Sequence, residues 1–112
     1  MAVSHAQPGE VIDVRPLADR LASSKTRTLI KTPHVEVIRI ILPAGKLIAE
    51  HKAPGEITVQ CLEGRMIFKT MGQEKELQAG NLLCLLAEET HSVEASEDSS
   101  FLLTMVLPEQ AN

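Results

Sequence analysis

The chain has no tryptophan and no tyrosine, and its phenylalanines are Phe68 and Phe101 alone. Tyrosine is therefore excluded as an acid, base or nucleophile. Two phenylalanines supply no row of rings on which single-stranded nucleic-acid bases could stack. A basic excess is missing too: 15 Asp and Glu outweigh 11 Lys and Arg, for a net charge of -4. Nucleic-acid binding leans on cationic surface to offset phosphates, so neither DNA nor RNA is expected as a partner. No stretch approaches the roughly 18–20 uncharged apolar residues that cross a bilayer, and the first ten residues lack a charged segment leading into an apolar one. No membrane partner is expected, and the expected location is cytoplasmic. Cys-x-x-Cys, phosphate-loop and nucleophile-elbow motifs are absent. The two cysteines, Cys61 and Cys84, lie in the apolar runs TVQCLE and NLLCLL, which predicts two buried thiols in a reduced compartment.

What is present is a chain of 112 residues, 44% hydrophobic. That is the size of one domain, with enough apolar surface to close one core unaided. Residues 1–10 are polar and contain Pro8-Gly9, which predicts a flexible tail ahead of a single domain over 11–112. Val11, Ile12 and Val14 suggest a short edge strand. Pro16 to Ser23 suggests a short helical turn, with proline at its start and Leu17 and Leu21 on one face. From Thr26 onward the pattern is of short strands cut by turns. Val35–Leu42 (VEVIRIIL) is the strongest, and others are predicted over 26–31, 46–51, 57–62, 65–70, 74–77, 82–86, 91–95 and 101–107. Strands at this spacing, with Gly or Pro between them, indicate an all-β sandwich or barrel. The last strand, and Val35–Leu42 in part, are apolar on both faces. A second burial partner is expected, and a homodimer supplies it most simply.

Two stretches carry a recognisable spacing. Gly45, His51 and Gly64 stand at the offsets of G-x5-H-x-H-x3-E-x6-G, and Gly80 and His91 at those of G-x5-P-x-G-x2-H-x3-N. These patterns resemble the two motifs of the cupin superfamily, and the resemblance spans roughly Val35 to Leu107. It implies a small jelly-roll β-barrel with an open mouth. Metal-binding cupins use two histidines and a glutamate from the first motif and a histidine from the second. Here Ala53 and Ile57 occupy the second histidine and glutamate positions, and Leu86, Glu88 and Ala95 replace Pro, Gly and Asn in the second motif. His51 and His91 are the two ligand positions that remain.

Divalent first-row metals held by protein usually take three or four side-chain ligands. Cys61 is four residues beyond Ile57, about 13 Å at roughly 3.3 Å per residue, too far to complete a site. Glu56 points away by strand parity unless a bulge at Pro54-Gly55 turns it inward. The expected function is binding of a small molecule in a barrel pocket lined by His51, Ala53, Ile57, Val59 and His91, with a degenerate metal site. The alternative is a metal-dependent enzyme of dioxygenase or isomerase type, holding Fe, Mn, Ni or Zn on the two histidines, with Glu56 as a third ligand if turned inward. A structural or partner-binding dimer with no pocket chemistry is the third reading.

Overall fold

The computed structural model describes residues 5–108. Nine strands follow a 3-10 turn at Ala18–Ser23: β1 (Arg27–Lys31), β2 (Val35–Leu42), β3 (Leu47–His51), β4 (Ile57–Glu63), β5 (Arg65–Thr70), β6 (Gln73–Gln78), β7 (Leu82–Leu85), β8 (His91–Ala95) and β9 (Ser99–Val106). They form two antiparallel sheets, β1-β2-β9-β4-β7 and β3-β8-β5-β6. The strand positions match the alternation seen in the sequence, and the two-sheet architecture is the expected jelly roll.

Alternation explains the core. On β4, Ile57, Val59 and Cys61 are buried while Thr58 and Gln60 are only partly so. The ladder sets those three opposite Met105, Leu103 and Phe101 of β9. From the facing sheet come Met66 and Phe68 of β5, Leu77 of β6, and Val93 and Ala95 of β8. Two glycines permit close approach. Gly64, between β4 and β5, has φ +87°, and a Cβ there would run into Ser99 Oγ and the Asp98 carbonyl. At Gly55 a Cβ would strike the carbonyl oxygen of Val106, so the chain entering β4 lies directly on the end of β9.

The N-terminal part departs from expectation. Val11–Val14 forms no strand, and Val11 is 98% exposed. Asp13 is the reason: its carboxylate accepts the Arg15 backbone N–H at 2.9 Å and pairs with the Arg15 side chain, a local bond that competes with a sheet ladder. The helical turn is 3-10 and starts at Ala18 rather than Pro16. Of the tail expected over 1–10, residues 1–4 lie outside the described residues. At Ala6 the backbone N–H donates to Leu29 O at 2.9 Å. Residues 109–112 of the expected domain also lie outside them. Cys84 corrects a further expectation: Cys61 is buried but Cys84 is exposed. On β7 the inward positions are Leu83 and Leu85, which pair with Val59 and Ile57, so Cys84 falls on the outer face.

The second apolar face of β2 and β9 is covered in part by the chain itself. Residues 15–18 cross it, and Glu63 holds them there. Its carboxylate accepts the backbone N–H of Leu17 at 2.9 Å and of Ala18 at 3.0 Å. It also accepts the Ser100 hydroxyl at 2.6 Å and Arg39 Nη2 at 3.2 Å. Arg39 Nη2 donates as well to the Arg15 carbonyl at 2.6 Å. Further along the same face, Val37, Leu102 and Thr104 stay partly exposed and Val106 exposed.

Burial pushes the Glu63 carboxyl up. The bonds from Leu17, Ser100 and Ala18 and the Arg39 charge outweigh this and leave it below its ordinary 4.5. A lowered carboxyl stabilises the fold fully above the unfolded value, and that contribution is lost as pH falls through the folded one. Removing one partner of a nearly buried pair strands the other, at a cost of about 3 kcal/mol. Glu63→Gln is therefore expected to lower the urea unfolding free energy by that order at neutral pH. It should also flatten the loss of stability that the unsubstituted chain shows below about pH 4.5. Urea titrations across pH check both.

Candidate functional site

The end of β3 and the start of β4 are joined by only five residues, Lys52 to Glu56, so they lie at the same rim of the barrel. The β7–β8 connection reaches this rim, where the Glu88 N–H donates to the Ala53 carbonyl at 2.8 Å. His51 ends β3 and His91 begins β8, and they are cross-strand partners. Their ring centroids are 4.3 Å apart in an edge arrangement.

A bulge makes this meeting possible. Ile48 pairs with Val93 and His51 with His91, three residues on β3 against two on β8. Strict alternation would put Ile48 and His51 on opposite faces. The extra residue returns His51 to the face of Ile48. Both rings are then fixed in the same way. His51 Nδ1 lies 2.8 Å from the Ala49 carbonyl, and His91 Nδ1 lies 3.0 Å from the Glu89 carbonyl. A carbonyl only accepts, so each Nδ1 carries a proton, and in the neutral form of such a ring Nε2 is the acceptor.

The two histidines differ in setting. His91 is 5% exposed and stacks on Phe68, with centroids 5.4 Å apart and planes 10° from parallel. Its β5 partner Thr70 donates to the Thr90 carbonyl at 3.0 Å, fixing the backbone just ahead of the ring. His51 is exposed. The other expected pocket residues divide by depth. Ala53 is half-buried against the core at the rim, and Ile57 is 3% exposed below it. Val59 is 1% exposed, sealed between β7 and β9, and belongs to the packed interior rather than to an open pocket. Glu56 is exposed. Among the described residues, no three His, Cys, Asp or Glu side chains are grouped to hold a metal ion. Two imidazoles alone do not fit a resident transition metal that needs three or four donors. Sequence reasoning passed over Phe68, Thr70 and the bulge. An inward aromatic two residues before a threonine on β5 is a weak signal, and the bulge leaves none.

Burial pushes the His91 pKa below its ordinary 6.5. The hydrogen bond to the Glu89 carbonyl opposes the shift, and the neighbouring His51 adds to it. For a lowered imidazole the unfolded chain takes up the proton first. Stability is complete above about pH 6.5 and falls as pH drops toward the folded value. The His91 Cε1 proton is expected to titrate with a midpoint below 6.5 by NMR. His91→Gln should remove the matching slope in stability between that midpoint and neutrality, as read by denaturant melts.

No family profile and no curated protein matches the chain. Solved structures do. A conserved Streptococcus pyogenes protein of unknown function is 22% identical with a TM-score of 0.74, and the match covers 98% of this chain and 100% of that one. A cupin superfamily protein from Desulfitobacterium hafniense is 16% identical with a TM-score of 0.77, over 92% of this chain and all of that one. Salicylate 1,2-dioxygenase from Pseudoaminobacter salicylatoxidans is 16% identical with a TM-score of 0.67, over 71% of this chain but 24% of that one. At such identities likeness speaks for the fold, and the fold of this chain is that of the cupins.

Proposed function

We propose that the chain binds a small molecule at the mouth of its barrel, with His51 and His91 as the polar contacts and no resident metal. The observation that carries this is the shared anchoring of the rings. Each Nδ1 is held by the carbonyl two residues earlier, which leaves each Nε2 free at the rim where Ala53 lies half-buried against the core. A few placed polar groups on an apolar wall orient a ligand in such a site. The ligand then supplies O–H or N–H donors on an otherwise apolar body. The same anchoring also suits metal-binding histidines, which is what favours the alternative of a metal-dependent enzyme. The missing third donor weighs against it.

Elemental analysis of protein purified without tag or chelator is expected to give transition metal far below one equivalent. Ligand-observed NMR with a set of hydroxyl- and amine-bearing aromatic fragments is expected to yield binders. His51→Ala and His91→Ala should each weaken them by up to about tenfold, the loss of one hydrogen bond. Near-stoichiometric metal that both substitutions release would instead establish the metal-dependent reading. Fragments bound equally by the substituted chains would remove the histidines from the site.

We also propose that the chain works as a homodimer. The support is the uncharged outer row of Val37, Leu102, Thr104 and Val106, which the N-terminal segment leaves partly open. Sedimentation equilibrium is expected to give twice the 12.2 kDa of the chain. Val106→Lys should shift it to the monomer.

A further inference from the structure

Two adjoining clefts open beside the 3-10 turn on the outer face of the five-stranded sheet, which His51 and His91 do not belong to. One, of about 480 Å³, is lined by Arg15, Arg20 and Arg39 together with Pro16 and Leu17. The other, of about 510 Å³, has Lys25, Arg27 and Arg39 as its cations and Leu17, Leu29 and Ile41 as its apolar side. Arg39, Leu17 and Asp13 are common to both.

The concentration of cations is out of keeping with an acidic chain. Five of its 11 Lys and Arg residues line these two clefts. Arg15 is paired with Asp13, and Arg39 with Glu63. Arg20, Lys25 and Arg27 take part in no ion pair among the described residues. Asp13 is the one carboxylate in the lining. The Arg15 guanidinium lies 2.7 Å from it and holds its carboxyl down to about 2, so the pair is internally neutral. Three cations of the two clefts therefore have no carboxylate within ion-pair distance among the described residues.

Arg39 adds the second observation. It is 8% exposed, and Nη2 makes all of its hydrogen bonds, to Arg15, Glu63 and Ser100. Its Nε is buried and has no acceptor. Buried N–H groups without partners are rare, because leaving one unpaired costs the desolvation of the donor. Arg39 lines both clefts, its nine-tenths buried guanidinium has one N–H without an acceptor, and exposed cations share the lining, a combination suited to an oxyanion. The apolar wall opposite asks for more than a bare ion.

We propose that the cleft of Lys25, Arg27 and Arg39 binds a small organic anion, a phosphate or carboxylate head on a short aliphatic body. The head takes the cationic side, and the body lies along Leu17, Leu29 and Ile41. This site is separate from the barrel mouth and does not depend on the reading given for it.

The test follows the Arg39 Nε–H resonance of 15N-labelled protein at constant ionic strength. The probes are n-butyl phosphate, n-pentanoate and inorganic phosphate. Either alkyl anion is expected to move that resonance saturably, and the tighter one names the head. Inorganic phosphate should bind more weakly than n-butyl phosphate, by about fourfold for each methylene the wall covers. Lys25 and Arg27 are exposed, and although Arg27 is the cross-strand partner of Arg39, neither side chain bonds to the Glu63 cluster, so Lys25→Gln and Arg27→Gln should leave the fold intact. Each is expected to raise the alkyl-anion midpoint about tenfold, with the His51 and His91 ring signals unmoved throughout. The proposal is overturned if neither alkyl anion gives a saturable shift. It is equally overturned if chloride moves the same resonance to the same extent, or if inorganic phosphate binds as tightly as its butyl ester.

Discussion

The interior of this barrel is full, and that constraint decides where any chemistry can sit. Phe68, Met66, Val59 and Cys61 fill the space between the sheets and are each 1% exposed or less. Burying a side chain of Val or Phe type stabilises the fold by about 1.5–3 kcal/mol, so opening a chamber at the barrel centre would cost several such contributions. Polar groups are displaced to the rim, where β3 ends and β8 begins. His91 sits on Phe68 as on a floor, and this stacking gives the ring a fixed plane that a surface histidine would lack. The site is thus an edge of the core rather than a cavity within it.

The outer side of the five-stranded sheet is organised by a different rule. There a carboxylate, Glu63, gathers donors from β2, β9 and the segment before the 3-10 turn. Apolar contact alone would let that segment slide, whereas backbone N–H groups directed at one carboxylate fix its position. Arg39 needs Glu63 to be tolerated at its depth, and the Leu17 and Ala18 N–H groups help hold the Glu63 carboxyl below its ordinary value. The cluster is cooperative in that sense, because each member is satisfied only while the others stay in place.

The two faces consequently differ in chemistry. The rim carries two imidazoles anchored through Nδ1, whereas the clefts beside the 3-10 turn are lined by cations. Ala53 and Ile57 bring apolar side chains rather than metal donors to this end of the barrel. The anchoring of His51 and His91 comes from local backbone carbonyls and does not require a metal.

Much of this was legible without a structure. Val35–Leu42 was visible as a strand from its β-branched residues, and the offsets of His51 and His91 from their motif glycines pointed to the cupin barrel in which they prove to be cross-strand partners. Other features were not legible. Arg39 reads as a lone charge in an apolar run, and nothing near it reveals that Glu63, 24 residues on, neutralises it. Cys84 looks buried in NLLCLL until the register sends Leu83 and Leu85 inward. Val11 to Val14 looks like a strand until Asp13 takes up the Arg15 N–H. By itself the sequence determined the strands, the turns and the pair of histidines, since alternation, turn glycines and motif spacing are properties of neighbouring residues. Only the tertiary structure decided that the histidines touch and that Arg39 keeps a free donor. Both depend on the register and bulges of strands far apart in the chain, and a slip of one residue would turn every such side chain to the other face.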